Sequence, residues 1–449
     1  MLMKVIINRW LKVNEIQILV IGFLVLIFIG AVLLAMPISS QDGRYTNFLD
    51  CVFISTSATC VTGLVTLDTG THWNYFGQFV ILCLIQIGGL GFMSVSTLIA
   101  LLMGRRITLK ERLVIQQSLN SFSIQGLVKM SKYVLVFTFV VETIGAMFLA
   151  TQFIPEFGYV KGIYFSIFHS ISAFCNAGID LIGEFRSLTP YAEDPVIILT
   201  VGSLVVIGGL GFFVWQDIYN FRIRKKLSLH TRLVIVTTLI LILGGTILMF
   251  LFEMYNPKTI GDMPVKSKIL SSLFASIVPR TAGFNSIPTS DMTGGGKFLT
   301  IVLMFIGGSP GSTAGGIKTT TAALLIVTVL SIIRGREDAE IYGRRIRKEL
   351  VYRALTITIL GSGIVLVATI LLCITEKASL EYIIYEVVSA FGTVGLSLGL
   401  TPELSNSGKI LLCIIMYCGR LGPLTVALAL AQKSMPSSIK YPDGKILIG

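Results

Sequence analysis

The sequence has few charged residues and few of the side chains that bind metals or transfer protons. Charged residues make up 13% of the 449 positions, and the chain contains only three histidines. A soluble chain of this length would carry about twice that charged fraction. The seven cysteines form no CxxC pair, and all of them lie in or beside apolar segments. These absences exclude a disulfide framework and argue strongly against a structural zinc site.

Long uncharged runs take the place of the missing polar residues. The run IQILVIGFLVLIFIGAVLLAM at 16–36 is long enough to cross roughly 30 Å of hydrocarbon. It is too long for the apolar core of a signal peptide, so we interpret it as a retained helix. Similar runs predict an integral membrane protein with eight spans, at 16–36, 76–103, 132–152, 196–219, 232–254, 298–332, 351–374 and 409–431.

Positive charge is distributed unevenly among the connections between these runs. The formal net charge is +12, and 24 of the 36 Lys and Arg residues lie in alternate connections. Those connections are the N-terminus, the segments 104–132, 217–232 and 334–353, and the C-terminal tail. The asymmetry follows the positive-inside rule, which predicts an even number of crossings and both termini in the cytoplasm. The charge therefore describes topology in a lipid bilayer, and we expect no nucleic-acid partner.

A shorter, semi-polar segment lies between the two members of each pair of spans. Each segment has about a dozen residues, too few to cross the bilayer, and so predicts a re-entrant half-helix. The four segments are FLDCVFISTSATC, GIYFSIFHSISAFC, SKILSSLFASIVPR and LEYIIYEVVSAFG. One glycine follows each of them, in TCVTGL, FCNAGI, PRTAGF and FGTVGL. These glycines are Gly63, Gly178, Gly283 and Gly395, spaced by 115, 105 and 112 residues.

A second glycine motif lies inside each following span, with its first glycine 24 to 30 residues further on. The four copies read IGGLGF (87–92), IGGLGF (207–212), IGGSPG (306–311) and CGRLGP (418–423). Self-similarity at a fixed period predicts four copies of helix, half-helix, glycine loop and helix. We therefore expect an all-α membrane protein of four pseudo-symmetric repeats around a central ion pore. The expected bounds are 15–104, 130–221, 232–334 and 350–432, followed by a C-terminal tail at 433–449.

Irregular backbone at membrane depth restricts what such loops can do. An unpaired amide in lipid costs several kcal/mol. A loop is therefore stable there only if protein buries it or if it lines a water-filled cavity. Four loops most economically face a common axis, where their carbonyl oxygens replace the hydration shell of a monovalent cation. The alternative is that the glycines only permit close helix packing. Four glycines in register favour the ion pathway.

On these motifs the chain resembles the Trk/Ktr/HKT superfamily of potassium transporters, and within it the bacterial Ktr membrane subunits of the KtrB/KtrD type. The stretches RTAGFNS (280–286) and GGSPGSTAGGIKT (307–319) are especially similar. The resemblance implies an ion-binding filter formed by Val61, Thr62, Gly63, Asn176, Ala177, Gly178, Thr281, Ala282, Gly283, Thr393, Val394 and Gly395.

The resemblance also bears on the choice of ion. In this superfamily a serine at the first filter position is associated with sodium selectivity, and Gly63 occupies that position here. Potassium is therefore the expected ion, with a sodium-selective or weakly selective transporter as the alternative. None of the four loops reads TVGYG, so the filter is expected to be shorter than that of ordinary potassium channels.

A glycine-rich loop at 307–316 interrupts the sixth span. The resemblance implies that this loop obstructs the pore and moves when the pore opens, with gate residues Gly307, Gly308, Gly311, Gly315, Gly316, Lys318 and Arg420. Arg420 is an intramembrane cation, which is a functional candidate unless helix-end carbonyls satisfy it. For Lys318 the alternative is that its amine extends to the cytoplasmic surface.

Other chemistries have less support. GSTAGGIKT (311–319) is close to a nucleotide-binding P-loop, but an isoleucine separates its last glycine from the lysine and no soluble strand precedes it. A membrane enzyme built on that loop is the remote alternative. We expect no enzyme activity and no bound cofactor, only transported K⁺, with Na⁺ considered as an activating ion.

Several charged or polar residues near the spans are assigned to the scaffold. Arg280 is expected to support the third filter loop, because a positive charge on the axis would repel a cation. Buried hydrogen bonding is expected for Gln86, Glu142, Asp217, Glu253 and Glu386.

The resemblance implies protein partners as well. Ktr-type subunits form homodimers on a cytosolic ring of RCK-type nucleotide-binding subunits. The basic segments 104–132 and 334–353 are candidate docking surfaces for that ring, with ordinary positive-inside anchoring as the alternative. The C-terminal residues 440–449 are expected to reach the dimer partner.

Overall fold

The fold consists of helices of very different lengths joined by short connections. The computed structural model describes residues 15–91, residue 113 and residues 127–430. The candidate docking segment 104–132 lies largely outside the described residues, and the tail at 433–449 lies entirely outside them. The helical fold class predicted from the sequence is confirmed for the described part of the chain.

The described helices in chain order are α1 (Glu15–Ala35), α2 (Phe48–Cys60), α3 (Thr69–His72), α4 (Tyr75–Leu90), α5 (Leu127–Phe157), α6 (Tyr159–Phe174), α7 (Pro195–Leu210), α8 (Phe212–Arg224), α9 (Leu229–Glu253), α10 (Val265–Ile277), α11 (Gly294–Phe305), α12 (Thr319–Ile333), α13 (Lys348–Thr375), α14 (Leu380–Gly392), α15 (Asn406–Leu421) and α16 (Pro423–Leu430). Two short strands, β1 (Glu340–Ile341) and β2 (Arg344–Arg345), form an antiparallel hairpin between α12 and α13.

Four described helices are long and apolar enough to cross a membrane, namely α1, α5, α9 and α13. Two further candidates consist of a helix pair with a sharp bend: α7 and α8 meet at 90°, and α15 and α16 meet at 98°. The described chain therefore contains four candidate spans, or six if each bent pair is counted as one.

Four helices end at the predicted glycine loops. Three of them, α2, α10 and α14, have 13 residues, and α6 has 16. Thirteen residues extend only about 20 Å, too short to cross the bilayer. The bounds of α2 and α14 match the predicted half-helices. By contrast, α6 begins at Tyr159 rather than 162, and α10 ends at Ile277 rather than 280.

The same contact joins a long helix to a short one at three places. A serine of the short helix donates a hydrogen bond to a carbonyl of the preceding long helix, and a glycine three residues after that carbonyl leaves room for the serine. The pairs are Ser55 to Ile27 at 2.7 Å, Ser170 to Glu142 at 2.6 Å and Ser276 to Ile242 at 2.8 Å, beside Gly30, Gly145 and Gly245. Small residues allow such close approach where lipid provides no hydrophobic driving force between helices.

The helix that follows each glycine loop begins with a short polar cap. The side chains of Asn74, Asp194, Thr293 and Ser405 each accept a bond from a backbone N–H in the first turn of α4, α7, α11 and α15. Such caps satisfy N–H groups that have no partner within the helix. They mark where the connection after each glycine loop ends.

Helix breaks occur in more of these second helices than the sequence predicted. The spans 196–219 and 409–431 were expected to be continuous, but the chain bends at Gly211 (φ 94°) and at Gly422 (φ 87°). Helix α4 likewise ends at Gly91 (φ 80°). A left-handed glycine cannot continue a right-handed helix, so the last glycine ends the helix in the first, second and fourth motifs. In the third repeat, α11 already ends at Phe305, before the motif.

Candidate ion pathway and gate

The four glycine loops share one backbone shape. The residue two positions before each filter glycine has a left-handed backbone: Val61 (φ 57°), Asn176 (φ 61°), Thr281 (φ 79°) and Thr393 (φ 51°). The glycines themselves, Gly63, Gly178, Gly283 and Gly395, have φ values of 98°, 65°, 79° and 93°. Non-glycine residues seldom adopt such angles, because the Cβ atom crowds the backbone. Four matched cases indicate that the loops are built for one common purpose.

The filter glycines meet in a closed ring. Each filter glycine packs against the residue that precedes another filter glycine. A Cβ atom added to the glycine would touch the carbonyl oxygen of that residue. The distances would be 2.5 Å from Gly63 to Ala177, 2.3 Å from Gly178 to Ala282, 2.5 Å from Gly283 to Val394 and 2.3 Å from Gly395 to Thr62. Both the backbone angle and the lack of space therefore require glycine. Chain order is preserved around the ring, and the fourth loop returns to the first.

All four filter glycines also line one open cavity of about 350 Å³, here called the vestibule. Its other lining residues come mostly from the connections that follow the glycines, and they include Asp68, Asp180 and Arg186. Burial, together with the negative charge of Asp68, raises the pKa of Asp180 to about 7, although the N–H of Ile182 partly opposes the shift by donating to the carboxylate. The vestibule thus brings two carboxyl groups to the glycine ring.

Three serine side chains form hydrogen bonds with the backbone of the filter loops, and the sequence analysis did not identify them. Ser57 accepts a bond from the N–H of Gly63 at 3.0 Å, and Ser389 accepts one from Gly395 at 3.1 Å. In the second loop, Ser172 donates to the carbonyl of Ile179 at 2.7 Å. Each serine lies six residues before its filter glycine, and this constant offset was the available signal. The third loop has Ile277 at that offset.

The loop 307–316, here called the gate loop, lies against the opposite side of the ring from the vestibule. It contacts the residues that precede the filter glycines. Thr313 donates to the side chain of Asn176 at 3.1 Å. A Cβ atom added to Gly315 would lie 2.2 Å from the hydroxyl of Thr393, and one added to Gly307 would lie 3.2 Å from the methyl of Thr281.

The broken helix pair α7–α8 holds the gate loop from one side. The N–H of Ser309 donates to the carbonyl of Gly209 at 2.9 Å, and the N–H of Phe212 donates to the carbonyl of Gly311 at 2.9 Å. A Cβ atom on Gly211 would lie 2.7 Å from the carbonyl oxygen of Pro310. The helix break thus exposes backbone groups that pair with the gate loop.

The two predicted gate cations also bond to the backbone. Arg420 donates to the carbonyl of Thr313 in the gate loop and to the carbonyls of Gly88 and Gly89 at the end of α4. Lys318 donates to the carbonyl of Ala314 at 2.6 Å, so its amine turns back into the gate loop. Arg420 therefore joins the fourth repeat motif, the gate loop and the first repeat motif.

Most of the polar residues assigned to the scaffold have the expected kind of contact. Gln86 donates to Glu142 at 3.2 Å, and Glu386 accepts bonds from Ser397 and Thr401. Glu253 accepts from four donors. Asp217 differs from the expectation, because it accepts from the N–H of Ser228 in an exposed rather than a buried bond. Arg280 is 6% exposed and is not among the residues that line the vestibule. Among the described residues, no group of three or more His, Cys, Asp or Glu could hold a metal ion.

Apolar helices of membrane length and re-entrant loops that meet at one ring define the class of helical membrane transport proteins. A family model narrows the class further. The TrkH cation transport protein family matches residues 12–440, and the chain belongs to that family. This assignment confirms the resemblance seen in the sequence and makes the chain a transporter rather than an enzyme.

Characterised relatives are similar over nearly their whole length. The potassium/sodium uptake protein NtpJ of Enterococcus hirae is 43% identical over 444 residues, 98% of each chain. The Ktr system potassium uptake protein B of Bacillus subtilis is 41% identical over 441 residues, again 98% of each chain. The crystal structure of the potassium transporter TrkH from Vibrio parahaemolyticus has the same fold, with a TM-score of 0.71 at 17% identity over 91% of this chain and 84% of that one.

Proposed function

We propose that this chain is the ion-translocating subunit of a Ktr-type system for potassium uptake across the cytoplasmic membrane. The observation that carries the proposal is the closed ring of four filter glycines beside the vestibule. Two relatives that cover nearly the whole chain are named for potassium uptake. Because one of those names also includes sodium, a weakly selective or sodium-selective transporter is the second candidate.

The proposed architecture has four repeats, eight crossings and both termini in the cytoplasm. Each repeat consists of a long helix, a half-helix, a filter loop and a broken second helix. The recurrent serine contacts between long and short helices support this division, as do the four capped second helices. Positive charge in alternate connections supports the orientation.

In the proposed filter, backbone carbonyl oxygens replace the hydration shell of the ion. The left-handed residues and the glycines alternate along each loop, which turns successive peptide groups in different directions. The half-helices end at the ring, so the negative ends of their dipoles favour a cation there. No fixed cation is needed to hold the loops, because serine hydroxyls and backbone bonds do so.

In the proposed closed state, the gate loop blocks the inner side of the filter. Lys318 and Arg420 lie beside this loop, and all the hydrogen bonds described for their side chains go to carbonyl oxygens. A cation that approached them would meet repulsion, which is stronger in a poorly solvated site than in water. Movement of the gate loop would remove both the steric and the electrostatic barrier.

The proposed partners are a second copy of the chain and a cytosolic nucleotide-binding ring of the RCK type. The relative from Bacillus subtilis is named as one component of a Ktr system, which supports a partner subunit. The described hairpin β1–β2 offers a candidate contact, because Arg344 and Arg345 are exposed there.

The filter assignment can be tested with the purified chain in liposomes. Wild type should carry K⁺ in preference to Na⁺, whereas Gly63→Ser should lower that preference and Gly283→Ser should disturb the ring. Gly363→Ala is a matched control, because no atom lies within 4 Å of the added Cβ. Absence of K⁺ flux in wild type, or an unchanged ion preference in Gly63→Ser, would overturn the assignment.

The gate assignment has a separate test. Deletion of residues 310–314 removes the part of the gate loop that bonds to α8 and to Arg420. Cation flux should rise and respond less to regulation, measured as uptake in a potassium-uptake-deficient bacterium at low potassium. Flux equal to that of wild type would show that the loop is not the gate.

A further inference from the structure

We infer that Asn176 is a positioning residue that links the gate loop to the filter through a chain of side-chain hydrogen bonds from Thr313 to Asn176 to Thr281. The inference rests on the proposed function and extends it. The gate loop and the ion-selective ring are then a coupled pair, and this chain of hydrogen bonds is the contact that couples them.

The bonds that form this chain are all buried. The hydroxyl of Thr313 donates to the amide oxygen of Asn176 at 3.1 Å, with the carbonyl oxygen of Phe174 as a second acceptor at 3.2 Å. The amide nitrogen of Asn176 donates to the hydroxyl of Thr281 at 3.2 Å. All three residues are fully buried. These hydrogen bonds therefore connect the gate loop to the second filter loop and the second filter loop to the third. Each bond joins residues that lie more than 100 positions apart in the sequence.

Asn176 differs from its counterparts in the other three loops. The equivalent residues are Val61, Thr281 and Thr393, and Asn176 is the one of the four with an amide, which can donate and accept at the same time. Asparagine also tolerates the left-handed backbone better than most residues do. The residue type thus suits both the strained backbone angle and the bridging position.

The surroundings leave the amide little freedom. A Cβ atom added to Gly208 would lie 2.8 Å from the amide oxygen of Asn176 and 3.0 Å from the hydroxyl of Thr313. A Cβ atom added to Gly209 would lie 3.5 Å from the amide nitrogen. The two glycines at the end of α7 therefore enclose the side chain, and its orientation depends on its two hydrogen-bond partners.

Movement of the gate loop would break one of these bonds. The amide oxygen of Asn176 would then lose its donor in a buried site, and the amide would reorient toward a new partner. A bond that exists only in the closed state stabilises that state, and by linkage the filter conformation changes with the gate. We expect the ring to bind cations differently when the gate loop has moved.

The test compares two substitutions at one position. Thr313→Val removes the hydroxyl and keeps the side-chain shape, whereas Thr313→Ser keeps the hydroxyl. Thr313→Val should raise K⁺ flux by about two- to tenfold, the effect of losing one buried hydrogen bond, and should change the K⁺ to Na⁺ flux ratio. Thr313→Ser should behave like wild type in both. Thr328→Val is the matched control, because that hydroxyl bonds to Leu324 within its own helix.

A second comparison separates coupling from simple loosening of the gate loop. In an Asn176→Ala background, Thr313→Val should change flux less than it does in wild type and should cause no further change in ion preference, because the Asn176 partner is already absent and only the bond to the carbonyl of Phe174 at 3.2 Å remains to be lost. Additive effects, or equal flux and equal ion preference for Thr313→Val and Thr313→Ser, would overturn the inference. Either result leaves the proposed function intact if wild type carries K⁺. Absence of K⁺ flux in wild type would instead refute the proposed function.

Discussion

At the scale of single residues, two kinds of glycine occur near the proposed filter, and they act differently. Gly63, Gly178, Gly283 and Gly395 adopt positive φ angles and form the ring. In contrast, Gly88, Gly208 and Gly419 are helical, and a Cβ atom on any of them would lie 2.0 Å from a carbonyl oxygen at the end of a half-helix. Close helix packing, the alternative role considered for the filter glycines, is therefore the role of Gly88, Gly208 and Gly419.

Substitution of a ring glycine should abolish selective transport. In Gly395→Ala the new Cβ would lie 2.3 Å from the carbonyl oxygen of Thr62, and φ at this residue is 93°. Both effects displace backbone at the ring, so K⁺ uptake should fall at least about fivefold, as expected for a strain of about 1–3 kcal/mol. Gly363→Ala should leave uptake unchanged. Equal uptake by the two variants would contradict the ring as the ion pathway.

Loss of a supporting serine should have a milder effect. Ser389→Ala leaves the N–H of Gly395 without its acceptor, which costs about 1–3 kcal/mol in a buried site. We expect a lower K⁺ to Na⁺ flux ratio with the protein still folded. Ser379→Ala is the control, because the exposed Ser379 makes no side-chain capping bond. An unchanged flux ratio in Ser389→Ala would show that the serine does not support the filter.

At the scale of helices and connections, carboxylates at the ends of α9 and α13 fix the connections that follow them. Glu253 at the end of α9 is fully buried and accepts four bonds, from Asn256, Thr259 and both the N–H and the hydroxyl of Thr293. Glu376 after α13 similarly accepts from the N–H and the hydroxyl of Ser405. Thr293 and Ser405 cap the helices that follow, so each carboxylate fixes where a second helix begins.

Removal of this carboxylate should destabilise the protein. Glu253→Ala removes a buried acceptor shared by four donors, of which the Thr259 hydroxyl lies in a buried bond, and we expect a loss of about 3 kcal/mol in the free energy of unfolding. Thermal unfolding in detergent measures it. Glu381→Ala removes an exposed partner of Lys297 at 3.1 Å and should change stability by less than about 1 kcal/mol. Similar unfolding temperatures for the two variants would argue against the role of Glu253.

Helix breaks show where sequence reasoning at this scale was incomplete. Composition identified the interruption at 307–316, because proline and five glycines occur together there. It did not identify the bends at Gly211 and Gly422, because a single glycine in an apolar helix is compatible with a straight span. Those bends depend on the positive φ of the glycine and, at Gly211, on its contacts with the gate loop.

At the scale of the whole molecule, the vestibule should respond to external pH. The pKa of Asp180 is raised to about 7 by burial and by the charge of Asp68, so the carboxyl group loses its charge as pH falls below 7. Arg186 also lines the vestibule, and its guanidinium pairs with Glu184 at 3.1 Å. The vestibule therefore becomes less negative in acid and should attract cations less strongly.

The expected result is a KM for K⁺ uptake about two- to fivefold higher at external pH 6 than at pH 8. In Asp180→Asn the KM should be high at both pH values and should not change between them. Asp262→Asn, in an outer connection that does not line the vestibule, should retain the wild-type dependence. A pH dependence that persists in Asp180→Asn would assign the effect to another group.

The sequence by itself determined the local elements of this protein, because each depends on nearby residues. Apolar length predicted the long helices, shortness predicted the half-helices α2 and α14 with their observed bounds, and a single glycine marked each filter loop. Only the tertiary structure decided that the four loops close into a ring, that α7 and Arg420 hold the gate loop, and that Asn176 bridges the gate loop to the third filter loop. These contacts join residues about 100 or more positions apart. Many of them involve backbone groups, which nearly every residue type carries, so the sequence does not reveal them.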